Sequence, residues 1–268
     1  MGSFQADFAA SDDILREAAS GRLPAHGLLE VGEAGRVGPI VEMALAAIQH
    51  RDQYDGITVG GDFASKLQIA LQTGRPFGGD FHARAGAFPF GIENPIEAND
   101  TGWNQWCLHI ENAAKASGFP TDLVAGLMGA MVEMQDNVYV HSGAADTGLA
   151  AFAVSPSSFE LVVADRGAGV LETLRQNPEY SALPDSGAAL QEAIKTGVSR
   201  FPSEIGRGQG FTQLYRSLVS DRSEIRFRSG DHSLTLRPAN DPLHGQTYLA
   251  QVAPLDGFAI SVLCRGDG

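Results

Sequence analysis

The sequence predicts an α+β fold, in which helices cover one face of a mixed sheet and a small α/β unit precedes that layer. Two long helix-periodic stretches follow one another at residues 103–117 and 121–141. Strand-like runs separated by turn residues fill the last part of the chain. Near the N-terminus strand-like and helix-like stretches alternate instead, which is typical of an α/β unit.

The N-terminal part of the chain divides into a tail, a small unit and a connection. Residues 1–20 carry several acidic residues and no apolar run of signal-peptide length, which indicates a tail. Residues 21–90 hold LLEV, a periodic stretch, ITVGG and a second periodic stretch, which predicts strand, helix, strand and helix. Residues 74–102 are rich in Gly, Pro, Phe and Asn without periodicity, so we expect an irregular connection and a domain boundary there.

Residues 103–265 are predicted to form the larger domain. Gly118 and Pro120 separate its two helices. Strand-like runs at 152–154 and 159–164 flank the sequence SPSS, which predicts a hairpin.

A lid-like insertion is predicted at residues 171–210, with one helix-like stretch at 187–196. A glycine-rich turn and a helix at 211–219 follow it. The chain then holds EIRFRS, HSLTLRP, QTYLAQV and FAISVLC, four β-rich runs separated by Gly, Asp, Pro and Asn. These runs predict an antiparallel meander.

Composition limits the function classes. The chain has 268 residues, 43% hydrophobic and 19% charged, which is ordinary globular usage. Its formal net charge of −13 would repel nucleic acid and anionic membranes. Cys107 and Cys264 have no ligand-like spacing, so neither a disulfide framework nor a zinc site is indicated. No run is long enough to span a membrane, and we therefore expect a cytoplasmic protein.

Three short motifs could carry chemistry. Glu133 and Asn137 are four residues apart and share one face of the second long helix. Asp165 ends a strand and is followed by Gly167 and Gly169; a carboxylate there can accept a hydrogen bond from an exocyclic amine. The sequence GRGQGF places three glycines before a helix, where backbone N–H groups can hold phosphates: Gly206, Gly208 and Gly210. Each motif alone is weak: a solvated helix face is the favoured explanation of the first, and glycine-rich turns such as the other two are common.

The three motifs occur in this order and are followed by a late Gly-x-Thr in HGQTYLAQV. Together they resemble the N box, glycine boxes and terminal strand of an ATPase superfamily. That superfamily joins gyrase B, the heat-shock chaperones, the histidine kinases and MutL. The resemblance covers residues 103–265. It implies a two-layer α/β sandwich of the Bergerat ATP-binding type, with ATP and Mg²⁺ as its ligands.

The resemblance also implies roles for single residues. Asn137 would be the Mg²⁺ ligand, Asp165 would bind the adenine amine, and Thr247 would support the base through water. Gly167 and Gly169 would border the base. Three glycines would close over the phosphates at the end of the lid: Gly206, Gly208 and Gly210. Glu133 stands where the ATPase and serine-kinase branches carry a general base.

The sequence departs from the pattern of the superfamily in two places, and the roles of one histidine and three arginines stay open. Phe211 follows the second glycine box where an aliphatic residue is more usual, and no phosphoacceptor box of the histidine-kinase type is present. His141 resembles the histidine that anti-sigma-factor kinases carry at this place, and an interaction with the helix dipole explains it equally well. Arg166, Arg200 and Arg207 lie in or beside the lid, and Arg207 is our first choice to face the γ-phosphate, although a solvated arginine is the ordinary state of each.

The resemblance favours a stand-alone ATPase or protein serine kinase similar to anti-sigma-factor kinases. Its partner would be a small α/β protein of the STAS-like (anti-sigma-antagonist) type, and a homodimer stays open. The N-terminal unit itself faintly resembles a STAS-like fold, without a motif to support it, so an unrelated α/β extension is the other interpretation. The alternatives are a non-catalytic nucleotide-sensing module and a histidine-kinase-like catalytic core without its phosphoacceptor domain.

Overall fold

The computed structural model describes residues 7–21, 27–29, 36–54, 57–195, 223–237 and 246–266. Its helices are α1 (Phe8–Ala19), α2 (Val37–Gln49), α3 (Arg51–Tyr54), α4 (Asp62–Thr73), α5 (Thr101–Ala116), α6 (Thr121–His141), α7 (Gly169–Arg175) and α8 (Ser186–Ala193). Its strands are β1 (Gly27–Leu29), β2 (Ile57–Val59), β3 (Ala85–Pro89), β4 (Leu149–Ser155), β5 (Ser158–Asp165), β6 (Ser223–Arg237) and β7 (Gln246–Arg265).

The main sheet has five strands in the order β3-β4-β5-β7-β6, and every neighbouring pair is antiparallel. An α+β fold is therefore confirmed, whereas the prediction of a mixed sheet is wrong for these strands. The physical reason is the connectivity, because β4–β5 and β6–β7 are hairpins and β3 joins the open edge of β4. The parallel pair β1–β2 forms a separate small sheet.

Helices cover both faces of the main sheet, which differs from the predicted single helical layer. On one face, α5, α6 and α8 pack over a cluster that includes Trp103, Leu127, Phe159 and Leu190. On the other face, α1, α2 and α4 pack over a second cluster of smaller residues. Side chains of β5 alternate between the two clusters, so its central residues are buried on both sides.

Residues 8–19, expected to belong to a tail, form the packed helix α1. Phe8, Ser11, Leu15 and Ala18 are buried at helical spacing, and the side chain of Asp7 caps the first turn. The apolar spacing was present in the sequence, whereas three acidic residues favoured an exposed tail: Asp12, Asp13 and Glu17. Residues 85–89, assigned with the N-terminal unit, form the edge strand β3 of the main sheet.

Buried ion pairs attach the N-terminal helices to the sheet. Glu42 of α2 accepts hydrogen bonds from Arg226 at 2.9 and 3.1 Å and from Arg228 at 2.6 Å. Asp12 of α1 accepts from Arg226 at 2.7 Å. Beside them the backbone N–H of Val37 donates to the Glu160 carboxylate at 2.7 Å. The arginines lie on β6, so these bonds join elements far apart in the chain.

The end of the chain folds as one long hairpin rather than the predicted four-strand meander. EIRFRS and residues 232–237 of HSLTLRP lie within β6, and QTYLAQV and FAISVLC both lie within β7. Gly230 and Gly257 have φ values of +58° and +78°. They allow irregular register between Ser229 and His232 instead of a turn, so each strand bends and continues.

Candidate functional site

Asp165 is the last residue of β5 and is fully buried, with 0% of its surface exposed. Its Oδ1 atom accepts a hydrogen bond from the N–H of Gly167 at 2.6 Å. Its Oδ2 atom is also buried and has no hydrogen-bond partner in the part of the chain that the structure describes. Burial raises the pKa of this carboxyl to about 7, against the opposing effect of the Gly167 and Phe258 N–H groups. A buried acceptor without a donor is costly, so this oxygen is the clearest binding feature of the region.

The loop after Asp165 is held tightly between α6 and β6. A Cβ atom on Gly167 would overlap the carbonyl group of Ser142, and the N–H of Ala168 donates to that carbonyl at 2.8 Å. Gly169 has a φ of +73°, and a Cβ atom there would lie 2.8 Å from the Ser229 Oγ atom. Both glycines are therefore explained by close approach of protein atoms.

Two residues that sequence analysis missed complete the surroundings of Asp165. A Cβ atom on Gly257 would overlap the Asp165 carbonyl and lie 2.6 Å from its Oδ1 atom. The Ser229 hydroxyl donates to the Gly257 carbonyl at 2.7 Å and accepts from the Val170 N–H at 3.0 Å. The signal for Gly257 was an isolated glycine inside an otherwise β-rich run. Ser229 had no comparable signal.

The C-terminal end of α6 reaches the same loop. Ser142 follows its last residue, His141. The Thr173 hydroxyl of α7 donates to the Gly169 carbonyl at 2.7 Å and lies 3.5 Å from the His141 carbonyl. Asn137 lies one turn earlier, about 6 Å along the helix axis, and is half-buried. Its Nδ2 atom lies 3.9 Å from the Met134 sulfur. Glu133, another turn away on the same side, is exposed.

The structure does not bring Thr247 to Asp165. Thr247 is exposed near the start of β7 and pairs with Leu236, whereas Asp165 pairs with Phe258. Thr247 precedes Phe258 by eleven positions, which is roughly 35 Å along an extended strand. The long β7 strand is the reason, because it carries Thr247 beyond the part that pairs with β5. Gly257 occupies the position beside Asp165 instead.

Several predicted residues lie outside the described residues. They are the second glycine box, the helix predicted at 211–219 and two arginines: Gly206, Gly208, Gly210, Arg200 and Arg207. Arg166 is described, and its backbone N–H donates to the Thr147 hydroxyl at 3.0 Å.

No protein-family model matches the chain, and no curated protein matches it. The family resemblance therefore depends on the motifs alone. Within the described ranges, no group of three or more His, Cys, Asp or Glu side chains is placed to hold a metal ion. None of the described helices is both long and apolar enough to cross a bilayer.

Proposed function

We propose that the chain is a regulatory protein that binds ATP and Mg²⁺ through a Bergerat-type site and acts as an ATPase or protein serine kinase. The observation that carries the proposal is the buried Oδ2 atom of Asp165 without a described partner. An exocyclic amine would supply the missing hydrogen bond and favour the ionised carboxylate. Adenine carries such an amine on the edge that a single carboxylate can bind.

The other residues fit this ligand to different degrees. Asn137 offers an amide oxygen, which is a ligand type that Mg²⁺ accepts, and it lies one turn from the end of α6 that contacts the Asp165 loop. The metal, when bound, would neutralise charge on the phosphates. Gly167 and Gly169 would shape the loop through protein packing and so set the position of Asp165, rather than provide space for the base.

Glu133 would be the general base in the kinase or ATPase form of the proposal. Its carboxylate is exposed on α6, where a hydroxyl group of a protein partner or a water molecule can reach it. A small STAS-like protein of the cytoplasm is the partner class that this form implies.

Calorimetric titration with ATP, in the presence and absence of Mg²⁺, tests the proposal. We expect Asp165→Asn to weaken ATP binding by about tenfold or more, because an amide nitrogen would face the adenine amine. Asp122→Asn, at an exposed site in the first turn of α6, is the matched control and should leave the affinity unchanged. Equal affinity of wild type and Asp165→Asn would remove the assigned adenine contact.

A non-catalytic nucleotide sensor is the second candidate function. The observation that favours it is that Glu133 has no hydrogen bond or ion pair with any residue in the described ranges, so nothing described orients it as a base. Turnover of labelled ATP by wild type and Glu133→Ala separates the two functions. Equal and negligible turnover with intact ATP binding would leave the sensor, whereas loss of a measurable rate in the variant would support the enzyme.

A further inference from the structure

The strand β7 has two parts with different neighbours. Residues 258–265 pair with β5 on one side, and 258–264 also pair with β6 on the other. Residues 246–251 pair with β6 alone, because β5 ends at Asp165 and no other described strand lies beside them. We call residues 246–251 the free edge.

The free edge exposes unpaired backbone groups. In an antiparallel pair about half of the N–H and C=O groups of a strand point away from its partner, so those of the free edge have no partner strand in the described structure. All of its residues are exposed. Tyr248 and Leu249 keep 49% and 41% of their surface accessible, which is high for large apolar side chains. Such an edge is a template for pairing with a further strand.

The free edge lacks the features that usually prevent strand pairing. Natural edge strands carry lysine, proline, inward-pointing charges or bulges. Residues 246–251 contain none of these residue types, and their sequence is QTYLAQ; Pro254 and Asp256 follow beyond the free edge. The irregular register of the hairpin begins only beyond Gln251, between His232 and Gly230 of β6. An uncharged edge of this length is notable in a chain with a net charge of −13.

We propose that the free edge pairs antiparallel with the free edge of a second copy of this chain, which forms a twofold-symmetric dimer with one continuous sheet. The charges favour this occupant over a basic strand from another protein. A basic strand would need carboxylates along the edge, and the nearest one that contacts it, Asp231, already bonds His232 and Gln251 at its end. Two acidic copies repel each other least where both surfaces are uncharged.

The side chains suit a register centred on Leu249. Leu249 pairs across the hairpin with Leu234, which is fully buried in the cluster under α8. Leu249 of the second copy would lie opposite Leu249 on the same face and extend that cluster. On the other face Tyr248, with the Arg237 guanidinium 5.8 Å from its ring centre, would lie opposite Ala250 of the second copy.

Sedimentation of the full-length chain across the micromolar range, at low and at high NaCl concentration, tests the dimer. We expect a reversible monomer–dimer equilibrium that tightens at high salt, because salt screens the repulsion between two copies of like charge. Leu249→Lys should weaken dimerisation by about tenfold, since it removes an apolar pair and sets two cations opposite each other. Leu108→Lys, at an exposed site on α5, is the matched control and should dimerise like wild type.

Amide hydrogen exchange on the wild-type chain gives a second measurement that needs no variant. We expect exchange in residues 246–251 to slow as the protein concentration rises, with other exposed segments unchanged. A chain that stays monomeric at high salt, a Leu249→Lys variant that dimerises like wild type, or concentration-independent exchange at the free edge would each overturn the proposal. None of these measurements involves ATP, so their outcome is independent of the proposed function.

Discussion

Asp165 links folding to pH through its buried carboxyl group. The pKa of this group is about 7 in the folded chain and 3.8 for the ordinary residue, so the folded state holds the proton more tightly than the unfolded state. Because the pKa is higher in the folded state, the free energy of unfolding falls as pH rises from the unfolded pKa to the folded pKa. Above the folded pKa the whole of this loss of stability remains. The carboxylate is thus kept at an energetic cost, which is typical of residues retained for binding.

This linkage predicts how the stability difference between Asp165→Asn and wild type depends on pH. The amide cannot ionise, so the variant should gain stability relative to wild type by about 3 kcal/mol between pH 5 and pH 8. Urea unfolding of both proteins across this range measures the difference. Asp122→Asn, at an exposed position, should follow wild type at every pH. A constant difference between wild type and Asp165→Asn would contradict the raised pKa.

Gly257 is predicted to be essential for the conformation around Asp165. A Cβ atom there would overlap the Asp165 carbonyl, and its φ of +78° is unfavourable for any other residue. We expect Gly257→Ala to lower the free energy of unfolding by about 2–4 kcal/mol, measured by urea titration. Gly126→Ala, in α6 with nothing within 4 Å of the added atom, should instead raise it by up to about 1 kcal/mol. Equal effects of the two substitutions would show that close packing at Gly257 does not limit stability.

Among the elements, local signals predicted the long helices well and the strand connections less well. The predicted stretch 121–141 coincides with α6, and 103–117 differs from α5 by one or two residues at its ends. Two signals at the helix starts explain this success. The Asp100 side chain caps the first turn of α5, and Pro120, which cannot continue a preceding helix, stands directly before α6, where no side chain caps the first turn. The C-terminal runs failed because Gly and Asp between them mark bends within long strands as readily as turns.

The candidate site was only partly visible in the sequence for a related reason. Asp165 and Gly167 stand in one short motif, and the structure keeps them together. Gly257 and Ser229 reach Asp165 through pairing of strands that are distant in the chain, which no local pattern specifies. Strand pairing also explains why the prediction for Thr247 failed. Thr247 fits the sequence motif by its spacing, but its place in β7 lies far from Asp165.

The helix α2 is predicted to depend on the carboxylate of Glu42. Glu42→Gln would leave Arg226 and Arg228 without their shared counter-charge in a buried position, and Asp12 alone cannot replace it. We expect a loss of about 3–5 kcal/mol in the free energy of unfolding by urea titration. Glu111→Gln, which affects an exposed pair with Lys115 on α5, should cost less than about 1 kcal/mol. A small effect of Glu42→Gln would mean that water or rearrangement satisfies the arginines.

At the scale of the whole molecule, the two helical layers share one sheet. Val163 of β5 packs with α6, while its neighbours Val162 and Ala164 belong to the cluster under α2. Neither layer can separate without exposing apolar residues of the same strands to water. The N-terminal helices are therefore part of the folded core, attached through buried ion pairs and through this shared sheet.

This arrangement predicts that the described layers unfold together. Trp103 and Trp106 both lie in the layer of α5 and α6, so their fluorescence reports that layer, while far-ultraviolet circular dichroism reports all helices. We expect coincident urea transitions from both signals, because the shared strands couple the layers. Glu42→Gln, on the opposite face, should move the tryptophan midpoint as far as the circular dichroism midpoint. The substitution could instead shift only the circular dichroism transition, or split it into two steps, while the tryptophan transition stays unchanged. Either result would mean that the N-terminal helices unfold as a separate unit.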